Sequence, residues 1–238
     1  MNRSVGYTVG VLVGLGVLVQ GLAQGGGARS GAETETGTIR GQVTIDAGDV
    51  PEPVMIDVTA DQATCGLQVE DFSTVVDVSG GVANAVVTLV GVPWTEEPPT
   101  PIINNAQCYF RPRVQVAKTR SVVSIQSEDV ALHSTHAYDD RARTMFNIAI
   151  PIPGMVIERP LRRPGVVRVE CDSHGWMRGW VYVTNDISTV SESGGGFEIP
   201  NVPAGTYELA IWHERYMGRS QTVTVAARGA VQADFRLE

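Results

Sequence analysis

No stretch of this chain keeps a helical repeat of apolar residues for three turns; apolar residues alternate or gather in short β-branched runs. Ile39, Gly41, Val43 and Ile45 interleave with Arg40, Gln42 and Thr44, the pattern of a strand with one covered face and one wet face. The runs 75–78, 85–90, 114–116 and 122–125 are similar and are separated by Gly, Asn or charged residues. Val167, Val169 and Cys171 share one face of a further strand, with Arg168 and Glu170 on the other. At the C-terminus Val231, Ala233, Phe235 and Leu237 alternate with Gln232, Asp234, Arg236 and Glu238. Many short strands divided by turn residues fold as sandwiches or barrels, so an all-β protein is expected.

The first residues carry a different message. Met1 to Ala23 hold no acid and a single Arg3, followed by a Val/Leu/Gly-rich run to Val19. That run is shorter than the roughly 20 apolar residues that cross a bilayer, and Gly21-Leu22-Ala23 offers small residues for cleavage. Residues 1–23 therefore read as a signal peptide and the mature protein as periplasmic or otherwise exported, with no membrane span. A retained anchor is the alternative. Residues 24–37, with three consecutive glycines and no aromatic, read as a flexible linker. Two later stretches mark boundaries: the proline-rich segment 93–101, unsuited to a central strand, and the polar segment 185–196 ending in three glycines.

The chemistry concentrates in Cys171-Asp172-Ser173-His174-Gly175-Trp176-Met177. A thiolate, an imidazole and a thioether within seven residues are soft and borderline donors, suited to copper and not to magnesium, calcium or manganese. A mononuclear blue-copper site takes one Cys and two His, with a longer Met contact on its axis. The second His must come from His133, His136 or His213, the others of the 4 present. A single Cys in the loop argues against a dinuclear centre bridged by two thiolates. Zinc is the chemical alternative, held by His133, His136, Cys171 and His174 as a closed tetrahedral site, which leaves Met177 without a role. His213 reads as a surface or structural residue. In an oxidising compartment the remaining pair, Cys65 and Cys108, is the disulfide candidate.

Residues 102–185 resemble the cupredoxins, the plastocyanin- and amicyanin-like blue-copper proteins. Cys108-Tyr109-Phe110-Arg111-Pro112-Arg113-Val114-Gln115-Val116 is similar to the family's first strand with its Phe-x-Pro motif. Residues 123–129 leading to His133, the Pro164-Gly165 entry to Cys171, and the closing strand 177–183 follow the same pattern. The C-x2-H-x2-M spacing is that of the short amicyanin loop. The resemblance implies a Greek-key β-sandwich holding one copper through His133, Cys171, His174 and Met177, with His136 as a possible substitute for His133. It also implies that electrons pass through the His174 edge, set in an apolar patch to which Trp176 contributes. The family's Asn after the upstream His ties the ligand loops together; Ser134 stands here, which implies looser binding or a shifted potential.

The segment Gly196-Phe197-Glu198-Ile199-Pro200-Asn201-Val202-Pro203-Ala204-Gly205-Thr206-Tyr207 resembles the carboxypeptidase regulatory-like, transthyretin-like sandwich. Residues 37–43 and 84–90 are similar to other strands of that family. The implied arrangement is one sandwich built from 38–101 and 186–238, with the copper domain 102–185 inserted between them, as in methylamine-utilisation-type proteins. The expected function is one-electron transfer with a cytochrome or dehydrogenase as redox partner, without enzymatic activity. The net charge of −8 opposes nucleic-acid binding, which needs a basic surface. The rival expectation is a carbohydrate-binding or adhesion module, with Trp94, Trp176, Trp180 and Trp212 as stacking surfaces for a glycan.

Overall fold

The inward alternation at Val167, Val169 and Cys171 belongs to the strand Gly165–Glu170 and the residue that follows it, all three side chains being buried. A computed structural model describes the protein at residues 35–238 and, before them, at Gly10 alone. The signal-peptide reading and nearly all of the linker reading fall outside the described residues. The strand Gly165–Glu170 is central in a five-stranded sheet ordered Thr144–Ile150, His133–Tyr138, Gly165–Glu170, Arg178–Thr184, Val114–Lys118. Neighbours are antiparallel except the last pair, where Val114 lies parallel and opposite Trp180.

A four-stranded sheet packs against it, ordered Ile157–Pro160, Val122–Ser127, Ile102–Ala106, Tyr109–Arg111. Ile103, Phe110, Val123 and Ile125 from that sheet meet Ala137, Val167, Val169 and Val181 from the first in one buried core. Each such aliphatic side chain contributes on the order of 1.5–3 kcal/mol by leaving water.

A second sandwich joins chain segments far apart in sequence. One of its sheets is ordered Asp186–Val190, Val86–Pro93, Gly205–Trp212, Arg219–Val225. The other sets Thr36–Thr44 between Gly196–Pro203 and Ala230–Gln232, with Phe235–Arg236 beside its far end. Ile39, Val43, Leu89, Phe197, Ile199 and Leu209 form its core. Gly195 shows why the three-glycine turn is glycine: its φ is +79° and an added Cβ would strike the Val43 carbonyl oxygen. Among the described residues no helix is long and apolar enough to cross a membrane.

Several expectations change in the folded chain. Thr36 and Gly37, placed in the linker by composition, already pair with Pro203 and Val202. The stretch Cys108–Val116 is two strands, not one. Tyr109–Arg111 pairs with Ile102–Ala106 in one sheet, and Val114–Lys118 with Arg178–Thr184 in the other. Residues 75–78 make only a single bridge, Val76 to Val82, and Val78 is 97% exposed. The C-terminal alternation holds, with Ala233, Phe235 and Leu237 buried and Gln232, Asp234, Arg236 and Glu238 exposed, but strand pairing lapses at Ala233 and Asp234, where the Gln42 N–H donates to the Asp234 carboxylate (2.8 Å). Lastly, a hairpin of Met55–Asp57 and Gln68–Glu70 carries the short helix Gln62–Cys65, which alternation did not foresee.

Candidate metal centre

Two of the anticipated ligands arrive by strand geometry. His133 opens the strand His133–Tyr138, whose odd-numbered side chains are buried and even-numbered ones half-buried. Cys171 continues the inward row of Val167 and Val169. His174 and Met177 sit on the connection to Arg178–Thr184. That loop is short because it closes on itself: the Met177 N–H donates to the His174 carbonyl (2.9 Å) and the Cys171 N–H to the Met177 carbonyl (3.3 Å).

The donor atoms converge. His133 Nδ1 and His174 Nδ1 are 3.0 Å apart, and Cys171 Sγ lies 3.5 Å from the second and 4.0 Å from the first. One ion with M–N near 2.0–2.1 Å and M–S near 2.3 Å would separate such donors by roughly 3.3–3.8 Å in tetrahedral or trigonal geometry. The three residues therefore fit a single ion. His133 and His174 are 0% exposed and Cys171 4%, and Met177, at 1%, packs in the same core as Cys171.

The far side of each imidazole explains the orientation of the near side. His133 Nε2 meets Asp129 Oδ2 at 3.0 Å and His174 Nε2 meets Asp61 Oδ2 at 3.0 Å. An ionised carboxylate only accepts hydrogen bonds, so each Nε2 carries the proton and a neutral ring presents a bare Nδ1. Burial, and then the neighbouring His174, hold the His133 imidazole below the ordinary histidine range, against the pull of Asp129. Two bare nitrogens facing each other at 3.0 Å beside a sulfur are three electron-pair donors that a cation would satisfy. Cys171 Sγ in turn accepts a hydrogen bond from the Ser134 N–H (3.4 Å). The other close grouping, Cys108 with Asp129 and His133, lacks a usable sulfur because Cys108 is bonded to Cys65, with Cα atoms 5.5 Å apart.

Several site expectations change in the folded chain. His136 cannot substitute for His133: residues three apart on a strand point to opposite faces. His136 lies on the outer face, bonded to Asp172 Oδ1 (2.9 Å) and Thr144 Oγ1 (2.9 Å) and stacked on Tyr138. This interaction, followed by one from Asn147, holds the Asp172 carboxyl below the usual range. The four-ligand zinc arrangement falls with it. Ser134 makes a tie of the kind expected of Asn, since its Oγ accepts the Asp172 N–H at 2.8 Å and so joins the two ligand loops. The His174 edge is not an open apolar patch, being fully buried beneath Asp61. Of the surface or structural place expected for His213, the chain gives it a buried one, 5% exposed, and burial holds its imidazole below the ordinary range.

The outer partners escaped sequence reading for different reasons. Asp129 stands four residues before His133, close enough to be considered. Asp61 lies 113 residues before His174, and no local signal connects them. A cleft of about 680 Å³, lined by Arg141, Arg143, Arg159, Arg162 and Arg163 among others, shares no residue with this centre.

Residues 187–233 match the family described as polysaccharide lyase family 4, domain II. That is not the carboxypeptidase regulatory-like family that the motif at Gly196–Tyr207 resembles. No curated protein matches the chain. Among solved structures, the chain is similar to a purple cupredoxin from Nitrosopumilus maritimus, at 22% identity over 35% of this chain and 96% of that one, with a TM-score of 0.31. It is similar to the reduced Cu(I) form, at pH 4, of a mutant amicyanin, at 15% identity over 41% and 98%, with a TM-score of 0.32. A third is a copper-containing nitrite reductase from Thermus scotoductus, at 19% identity over 40% and 26%, with a TM-score of 0.32. Likenesses at this level carry no argument about chemistry, which rests on the side chains described above.

Proposed function

We propose that this chain would hold one copper ion through His133 Nδ1, His174 Nδ1 and Cys171 Sγ, with Met177 as a further, weaker ligand, and serves as an exported one-electron carrier. The observation that supports it is the convergence of the three donors within 4.0 Å, with both distal nitrogens bonded to carboxylates. Zinc prefers four strong ligands in a closed site, and His136 faces away; two His, one Cys and a nearby Met suit copper. When bound, copper would cycle between Cu(I) and Cu(II). The protein's part is to hold the donors rigid: the loop hydrogen bonds, the Ser134 bridge and the two carboxylates keep the imidazoles and thiolate aimed whichever oxidation state is present. The partners on this reading are redox proteins, and the chain itself is no enzyme.

The test is a titration of the purified protein with Cu(II), read by visible absorption, beside Cys171→Ala. An intense charge-transfer band at one equivalent, absent in the variant, supports the reading. Tight zinc binding with no such band overturns it.

A second reading has an observation of its own. Trp180 and Trp212, ring centroids 5.5 Å apart, line a cleft of about 320 Å³ with Asp139 and Asp140. Half-buried indoles beside carboxylates suit a sugar ring, and the matched family carries a polysaccharide lyase description. Glycan-array binding that survives Cys171→Ala but not Trp212→Ala would favour this role.

A further inference from the structure

His174 is fully buried, yet the group on its outer nitrogen is not: the Asp61 side chain is 47% exposed. Asp61 therefore stands between the imidazole and solvent, and it comes from a segment outside the sandwich that supplies the three donors. It sits at the start of the helix Gln62–Cys65 with a left-handed φ of +55°, its carbonyl accepting the Thr64 and Cys65 N–H groups (2.9 Å each). Most of this segment is solvent-facing, and Leu67 is 71% exposed. Beyond the buried Val58 and Val69 its fastenings are few. Cys65 is joined to Cys108, the Tyr109 hydroxyl bonds the N–H and carbonyl of Glu70 (2.8 and 3.0 Å), and Phe72 packs on Tyr109 at 5.0 Å.

Cys108 is also connected to the centre. Its N–H donates to Asp129 Oδ2 (2.8 Å), the oxygen that meets His133, and its carbonyl accepts the Trp176 indole N–H (3.0 Å) beside His174. One disulfide thus anchors the segment that covers His174 and adjoins the supports of both imidazoles.

We infer that residues 58–70 are a disulfide-latched cap over the centre, that Asp61 is the positioning residue for His174, and that reducing the latch opens the site. The inference rests on the reading of His133, Cys171 and His174 as a metal centre. A dithiol thiolate attacks one sulfur of the Cys65–Cys108 bond and forms a mixed disulfide. Its second thiol then displaces the protein sulfur, so the dithiol loses two electrons and Cys65 and Cys108 each end as a thiol. The cap then keeps the Asp61–His174 bond, the buried Val58 and Val69, and the Glu70 and Phe72 contacts of Tyr109, and short segments with few buried apolar contacts open readily. Closed, the cap slows metal exchange and blocks direct approach of a partner to the His174 edge; open, it exposes both.

The experiment uses metal-free full-length protein and measures Cys171 alkylation by iodoacetamide with mass spectrometry, so it needs no copper. Cys65→Ser/Cys108→Ser leaves Cys171 as the sole thiol, and Asp61→Ala removes the cover while keeping the disulfide. The parent should react at least about ten-fold more slowly than either variant, with unchanged far-ultraviolet dichroism. If the double variant does not fold, Asp61→Ala decides alone. A parent thiol as reactive as the urea-unfolded chain, or an Asp61→Ala rate equal to the parent's, overturns the cap. Failure of the copper titration with protection intact would overturn the metal reading and leave the cap standing over a thiol–imidazole site.

Discussion

Replacing Arg113 by methionine should destabilise the fold by about 3–4 kcal/mol at neutral pH. Arg113 leads into Val114–Lys118 of the first sandwich, and Glu214 lies just beyond Gly205–Trp212 of the second. Their side chains are 11% and 3% exposed and meet in a two-pronged bond at 2.7 and 2.9 Å, with a further N–H of Arg113 on the Arg178 carbonyl at 3.1 Å. Methionine keeps much of the volume and none of the charge, so the Glu214 carboxylate is left buried without its partner. Breaking a buried pair on one side costs about 3–5 kcal/mol. Taking up a proton bounds that loss, because neutralising an ordinary glutamate requires about 3.7 kcal/mol at pH 7 and about 1 kcal/mol at pH 5. An acid that must gain a proton to stay buried is helped by low pH, so the deficit should shrink between pH 7 and pH 5. Urea unfolding followed by tryptophan fluorescence measures it. With a slope of about 2–3 kcal/mol per molar, the midpoint should fall by roughly 1–2 M at pH 7. Arg113→Met/Glu214→Leu should recover at least half of the loss, because no unpaired charge remains. A deficit below about 1 kcal/mol, a deficit equal at both pH values, or a double variant no better than the sum of its singles would refute the reasoning.

Other outcomes follow from the same geometry. Since burial holds His213 below the ordinary histidine range, the unfolded chain takes up a proton below about pH 6.5 that the folded chain refuses. Stability should therefore decline with acid through that window, and His213→Gln should flatten the urea midpoint between about pH 7.5 and 5.5. His136→Ala should leave the stoichiometry and absorption band of the copper titration unchanged; loss of the band would contradict the outward placement of that ring. Ser134→Ala, which removes the acceptor of the Asp172 N–H, should weaken copper about 10–100-fold in competition with a chelator. Eliminating the Cys65–Cys108 bridge, whose cysteines are 43 residues apart in sequence, should cost about 4 kcal/mol in urea unfolding through restored chain entropy; an unchanged midpoint would contradict that account.

Much of the β pattern was legible because it is local. Strand backbones turn successive side chains to opposite faces, so Ile39, Val43, Val167, Val169 and Cys171 declare their inward positions from spacing alone. Spacing misled where pairing changed partner. Phe110 and Val114 look like one strand but serve different sheets. The same rule of two separates His133 from His136; three-residue spacing allows a shared face in a helix and forbids it in a strand, so the choice depends on which element forms.

Taken alone, the sequence determined that this chain would be built of short strands and that a thiol, an imidazole and a thioether would share one loop, because neighbours along the chain cannot separate. It also supplied a second imidazole upstream, which the family resemblance placed at His133 with His136 left as a possible substitute. Only the tertiary structure decided which histidine faces Cys171, that Ser134 ties the ligand loops, and that Asp61 and Asp129 hold the outer nitrogens. These choices are made by packing: the donors meet where two sheet faces bury their apolar rows, and Asp61 reaches His174 because a disulfide brings a distant hairpin onto that surface. Backbone geometry sets a residue's facing within a strand, whereas contacts across a hundred residues arise only when separate surfaces leave water together.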